Sequence, residues 1–172
     1  MVNILVPIVV KFSKVIIFLM ITLLIFSFTS FKWEEDTKSR IKIYNSIYDI
    51  FHSDRCTLES FNDNDFNIIK EQEKIIGYLL VTQSFSKTNT FDYYVLYNTQ
   101  AEILKVEVLS YRESHGFEIC NKRWLKQFIG INIASQFEYN NKVDGISGAT
   151  ISVNSIKSSI FQNTQYLKKL IK

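Results

Sequence analysis

The sequence predicts an α+β fold, an antiparallel sheet with flanking helices, preceded by one N-terminal transmembrane helix. Three observations carry that reading. Val15 to Phe31 holds no charge and is apolar apart from Thr22, Ser27, Thr29 and Ser30. Runs rich in aromatic and β-branched residues lie between Ile75 and Val108. Helical periodicity marks a segment before those runs and another after them.

In chain order, the first element is the apolar stretch itself. It is slightly shorter than the roughly 20 residues that span a bilayer, but Phe31 and Trp33 extend it into the interface. Lys11 and Lys14 precede it, and Glu34, Glu35 and Asp36 follow. Positive residues stay in the cytoplasm, so the N-terminus is expected inside and the domain outside. The expected division is 1–32 for a cytoplasmic N-terminus and single-pass anchor, and 33–172 for an extracytoplasmic, periplasmic domain. A cleaved signal peptide is the alternative, with Ser27-Phe28-Thr29 the best small-x-small site. The earlier apolar run Val2 to Val10 is interrupted by Pro7 and is too short to span.

From Ser39 to Phe51, Tyr44, Ile47, Tyr48 and Phe51 follow i, i+3, i+4, i+7, the stripe of an amphipathic helix. Asn62 to Asp65 reads as a turn. Ile68-Ile69 and Ile75 to Val81 read as short strands joined around Glu71-Gln72-Glu73. Phe91 to Tyr97 is a third strand, and Asn98-Thr99-Gln100 the turn after it. Leu104, Val106 and Val108 then alternate with Lys105 and Glu107, as a half-buried strand does. Trp124, Leu125, Phe128 and Ile129 have helical spacing that Gly130 ends. Val153, Ile156, Ile160, Leu167 and Leu170 predict a C-terminal helix, with a break in the pattern around Gln162-Asn163-Thr164.

Charge narrows the function. The chain has 20 Lys+Arg and 17 Asp+Glu. Lys11, Lys14 and Lys32 are the only charges before residue 33, so the rest of the chain balances. The basic excess belongs to the flanks of the apolar segment, and no nucleic-acid surface is implied. Cys56 and Cys120 could pair outside the cytoplasm or remain buried thiols. His52 and His115 are the only histidines, and no metal-ligand spacing is present.

One stretch carries chemistry, Asp144-Gly145-Ile146-Ser147-Gly148-Ala149-Thr150. Gly145 and Gly148 let the backbone turn tightly and approach a bulky ligand. Ala149 adds little bulk beside Thr150. Thr150 or Ser152 is expected to cap the C-terminal helix. A helix N-terminus offers free N–H groups and a positive dipole end, which suits phosphate, and Ser147 can add a hydrogen bond.

This stretch resembles the Asp-x-x-Ser/Thr-Gly-Ala-Thr signature of the FMN-binding domain family. That family includes flavoprotein subunits of the Rnf and Na+-translocating NADH:quinone reductase complexes. A second match lies upstream. The family pattern of two strands, Glu-Thr-x-Gly, then an amphipathic helix ending near Phe-x-Gly resembles Phe91–Tyr97, Ile103–Leu109, Glu113-Ser114-His115-Gly116, and Trp124, Phe128 and Gly130. Ser114 stands for the usual Thr and keeps the hydroxyl; His115 stands where some members have Pro. Val153 departs from a Ser frequent in the family. The resemblance covers about residues 75 to 160.

The resemblance implies FMN bound covalently through a phosphoester to Thr150, installed by an FAD- and magnesium-dependent flavin transferase. It implies that the Glu113–Gly116 loop faces the flavin together with the Asp144–Thr150 turn. Asp144 would bind the transferase's metal or orient the turn; an Asx-type turn cap is the plainer role. Glu113 is otherwise a surface carboxylate, Arg112 beside it an ordinary surface pair, and His115 either a proton-linked tuner of the flavin or a loop residue. The implied protein relays electrons to and from a membrane redox partner rather than acting as a stand-alone enzyme. A reading of another class is a flavin-free interaction subunit of a membrane complex. A third is a flavin reductase with a soluble donor, against which stands the lack of a Gly-x-Gly-x-x-Gly segment.

Overall fold

The computed structural model describes residues 20, 37–61, 65–131, 139 and 141–172. Apart from Met20, the apolar segment 15–31 lies outside the described residues, as do 62–64 of the Asn62–Asp65 turn. Among the described residues no helix is long and apolar enough to cross a membrane. The chain divides into two units, Met1–Tyr44 and Asn45–Lys172, and the second holds the sheet.

The fold is α+β, as expected. Five strands, β1 (Cys56–Ser60), β2 (Phe66–Glu71), β3 (Lys74–Phe85), β4 (Thr90–Tyr97) and β5 (Ile103–Ser110), form one antiparallel sheet in chain order. The β2–β3 turn is built on Gln72 and Glu73, both with positive φ (46° and 66°). That is the backbone twist a two-residue hairpin requires, here without glycine. In the β4–β5 turn the Asn98 side chain accepts from the Gln100 and Glu102 N–H groups, each at 2.9 Å.

β1 is absent from the sequence reading. It is a short edge strand with no buried residue, so it lacks the alternation that marks a strand with a core face. In β5 the expected core residue Leu104 is only half-buried and Ile103 is buried in its place. The register shifts between Leu96 and Tyr97, which pair with Lys105 and Ile103, so Leu104 is the extra residue of a bulge.

The two sheet faces are met by different helical segments, one of them within residues 45–51. Residues 37–51 are helical (α1). The expected stripe is rotated: Tyr44 and Tyr48 are 45% and 57% exposed, while Ile43, Ser46 and Ile47 are buried. Ser46 decides this. Its hydroxyl shares a 2.7 Å hydrogen bond with Tyr94, which also donates to Glu107 at 2.7 Å, and Lys105 donates to Ser46 at 2.6 Å. A Cβ at Gly77 would lie 2.5 Å from the Tyr97 carbonyl oxygen and 2.6 Å from the Phe51 ring, so glycine lets α1 close on this face.

The other face carries the core and the C-terminal helix α3 (Thr150–Leu170). Helices α2 (Lys122–Leu125) and α3 bracket the segment that begins at Ile131. α3 is unbroken through Gln162-Asn163-Thr164. Thr164 occupies a core position and is fully buried; its hydroxyl donates to the Ile160 carbonyl and meets Tyr97 Oη at 3.0 Å. A polar residue with both needs met thus interrupts the apolar pattern without interrupting the helix. Further hydroxyl contacts join Ser155 to Ser84 at 2.6 Å and Tyr93 to Ser159 at 2.7 Å, fixing α3 along the sheet.

Between them, a 3₁₀ turn Phe117–Cys120, α2 and a second 3₁₀ turn Lys126–Phe128 pack beside β5. Asn121 caps α2, accepting from Arg123 N–H at 2.8 Å. Gly130 has φ +69° just after this segment, as expected of a helix stop. Ile129, however, is 43% exposed, because the backbone turns extended there and takes it off the core face. No disulfide joins Cys56 to Cys120; both are half-buried.

Candidate functional site

A cleft of about 610 Å³ opens where the start of α3 meets the loop after β5 and the β3–β4 hairpin loop. Among the expected residues, Glu113, His115, Gly116, Ser147, Gly148, Ala149 and Thr150 line it. The two loops joined only by inference from the sequence are therefore neighbours in space.

Thr150 is the first residue of α3, not its cap. The N-cap is Ala149, with no side-chain cap, and neither Thr150 nor Ser152 holds that position. Ala149 is buried, its N–H donating to Ile146 O at 3.1 Å and its carbonyl accepting from Val153 at 2.9 Å. Ser152 is also buried, and its hydroxyl meets Tyr111 Oη at 3.1 Å. Thr150 and Ile151 between them are both exposed, and of the two only Thr150 carries a hydroxyl. With no side chain capping it, the first turn of α3 leaves N–H groups directed out of the helix end. An anion-accepting surface and an exposed hydroxyl thus adjoin in the cleft.

Two glycines shape this region. Gly148 has φ +82°, a conformation that side-chain-bearing residues seldom adopt. Gly116 has φ +79°, and a Cβ there would lie 2.8 Å from Tyr111 Oη and 3.2 Å from Ala149 Cβ. The 113–117 loop therefore lies directly on the start of α3. Gly145 differs from expectation: its φ is not positive, and a Cβ there would meet nothing within 4 Å, so no close approach within the chain requires glycine.

Asp144, Gly145 and Ser114 do not line the cleft. Asp144 instead ties its loop to the α2 segment. Its N–H donates to Gln127 Oε1 at 2.8 Å, its Oδ2 accepts from Gln127 Nε2 at 3.1 Å, and its carbonyl accepts from Trp124 Nε1 at 2.9 Å. Lys157, buried in α3, donates to the preceding carbonyl, Val143 O, at 2.7 Å. Burial lowers the Lys157 pKa, and the nearby Asp144 charge opposes that shift.

Glu113 reaches the cleft but spends its carboxylate on the β3–β4 hairpin loop. Oε1 accepts from the N–H groups of Thr88 at 2.7 Å and Asn89 at 3.0 Å and from the Ser86 hydroxyl. These bonds, Ser86 first, hold the Glu113 pKa down to about 2. The Arg112 guanidinium reaches across to the Asp92 carboxylate and to the Thr90 carbonyl at 3.2 Å.

Lys87, Tyr111, Glu118, Ile151 and Ser152 also line the cleft, and the sequence reading does not place them in the site. Tyr111 is the most consequential. Its hydroxyl donates to His115 O at 3.0 Å, and its ring lies 5.5 Å from Phe91 and edge-on to the exposed Phe117 at 6.3 Å. Among the described aromatics Tyr111 lines the cleft, and Phe117 packs against it. No local spacing marks it, because the contacts are made across elements.

The cleft lies within the usual volume range of small-ligand pockets, roughly 300–1,000 Å³. An exposed hydroxyl, an uncapped helix N-terminus and aromatic surface suit a phosphorylated aromatic cofactor. Residues 87–163 match the family of FMN-binding domains. The matched span begins at the hairpin loop, includes the 113–116 loop and the 144–150 turn, and ends within α3. No curated protein matches the chain.

Proposed function

We propose that the FMN-binding domain carried by residues 87–163 holds its FMN covalently through Thr150 and serves as an electron relay. The observation that carries this reading is the exposure of Thr150 between buried Ala149 and Ser152. Of these three small residues at the start of α3, only the threonine of the signature is exposed at the cleft.

The residues present fit the group. Thr150 Oγ1 supplies the ester oxygen. The first-turn N–H groups of α3 and the exposed Ser147 hydroxyl receive phosphate oxygens. The positive-φ Gly148 keeps the approach open, Gly116 lets its loop close on the start of α3, and Tyr111 offers aromatic surface to the isoalloxazine. His115 lines the cleft beside Gly116. Asp144 serves by orienting the turn through Gln127 and Trp124. Bound FMN supplies one- and two-electron redox chemistry, while the protein supplies attachment, orientation and electrostatics.

The protein as a whole is proposed to be a single-pass membrane protein. Segment 1–32 provides a cytoplasmic N-terminus and anchor, and 33–172 lies outside the cytoplasmic membrane, in the periplasm. Lys11 and Lys14 before the apolar stretch, and Glu34 to Asp36 after it, support that orientation. Covalent attachment then keeps the cofactor from diffusing away. An FAD- and magnesium-dependent flavin transferase is the partner in maturation, and a membrane redox protein the partner in electron transfer.

The test is the intact mass of the full chain produced with and without a flavin transferase. A gain of FMN less one water, mapped by peptide analysis to Thr150, is expected. No gain, with the transferase active on another substrate, removes the covalent reading.

A further inference from the structure

Lys87 lies in the β3–β4 hairpin loop and lines the cleft together with Thr150, Tyr111 and His115. The other ionisable lining groups include Glu113 and Glu118, so among the described lining residues Lys87 is the only lysine or arginine. Its ammonium makes no hydrogen bond or ion pair among the described residues. The loop that carries it is nevertheless held in place. Glu113 Oε1 takes the N–H groups of Thr88 and Asn89 at 2.7 and 3.0 Å, and Ser86 N–H donates to Asn89 O at 2.8 Å. Lys87 is thus flanked on both sides by residues bonded to Glu113, which lines the same cleft.

A fixed loop carrying a charge with no partner is an arrangement suited to a ligand charge. The uncapped turn of α3 already provides for the phosphate. Two-electron reduction, with electrons from the redox partner and one proton from solvent, leaves one negative charge on the ring system, which α3 does not address.

We propose that Lys87 is the positioning cation for that charge, so that the Glu113-latched hairpin raises the reduction potential of the flavin in the cleft. This rests on the FMN reading above. Removing the cation shifts the balance toward the oxidised cofactor, while arginine, which keeps the charge, largely restores it. Salt narrows the difference, because Lys87 is exposed.

The experiment compares the full chain, made with a flavin transferase, as wild type, Lys87→Gln, Lys87→Arg and Glu113→Gln. Intact mass reads FMN attachment, thermal melting reads folding, and spectroelectrochemical titration at low and high salt reads the midpoint potential. The expected result is full attachment in every variant and a lower potential in Lys87→Gln. The expected shift is about tenfold in the reduced-to-oxidised equilibrium, equal to about 30 mV for a two-electron couple. Lys87→Arg stays near wild type, and Glu113→Gln, which removes a negative charge from the same cleft, shifts the potential in the opposite direction to Lys87→Gln. An unchanged potential in fully loaded Lys87→Gln overturns the proposal. So does loss of attachment in folded Lys87→Gln with an unchanged potential in its loaded fraction, which assigns Lys87 to the phosphate. A wild-type chain that takes no FMN sinks the underlying reading instead, and is recognised by mass before any potential is measured.

Discussion

The buried Lys157 ammonium donates to the Val143 carbonyl at 2.7 Å. Through this bond α3 holds the beginning of the loop whose end supplies its own first residue, Thr150. Trp124 and Gln127 hold the adjacent Asp144 from the other side. The loop is therefore pinned at Val143–Asp144, while Thr150 at its end is exposed.

Replacing Lys157 with Met removes the donor and leaves the Val143 carbonyl unpaired by it. A loss of about 1–3 kcal/mol is expected in urea denaturation. Lys157→Met should also lower the rate of FMN attachment at Thr150, read by mass. Unchanged stability and attachment together would show that Lys157 does not pin the loop.

Gly116 lies against Ala149, and any side chain there is doubly opposed. The left-handed φ strains an L residue, and the new Cβ would sit 2.8 Å from Tyr111 Oη. Gly116→Ala should destabilise by roughly 1–3 kcal/mol. It should also break the Tyr111–Ser152 contact, visible as a change in tyrosine fluorescence.

Glu113 makes a pH prediction with a definite sign. Its folded pKa, about 2, lies below the ordinary value of 4.5 for a free glutamate side chain. The folded state therefore binds its proton less readily than the unfolded state. The contribution is complete above about pH 4.5 and is lost as pH falls toward 2. Glu113→Gln should flatten the acid limb of the stability curve over that window. Curves of equal slope for the two proteins would remove Glu113 as its source.

Thr150→Ala should leave folding nearly intact, within about 0.5 kcal/mol, because the side chain is exposed and makes no cap. It should abolish covalent FMN. Flavin retained through denaturation by Thr150→Ala would place the bond elsewhere.

Thr164 tests the hydroxyl contacts along α3. Thr164→Val keeps the shape but leaves the fully buried Tyr97 Oη without its partner at 3.0 Å. A cost of about 1–3 kcal/mol is expected by thermal or urea denaturation.

Local patterns were sufficient for several features. The α+β class, strands β2 to β5, the turns at Gln72-Glu73 and Asn98, and the C-terminal helix were all legible, because burial on one face imposes a period that survives in the sequence. The resemblance pointed to the two loops that meet at the cleft, although Ser114, Asp144 and Gly145 within them do not line it.

Other features depend on partners distant in the chain. β1 has no buried face to announce it. The helix 37–51 turns Ser46 inward because Tyr94, 48 positions away, waits for its hydroxyl. Thr164 sits in the core because Tyr97 satisfies it. Lys87, Tyr111 and Glu118 join the cleft only when β3, β4, β5 and α3 come together.

By itself, then, the sequence determined the kind of fold, because that follows from local backbone sterics and periodic burial. Tertiary structure alone decided which residue caps α3, what Glu113 and Asp144 bind, and that Lys87 and Tyr111 line one cleft with Thr150. Each of those is a contact between segments far apart in the chain, and its energy depends on burial and geometry that no local window contains.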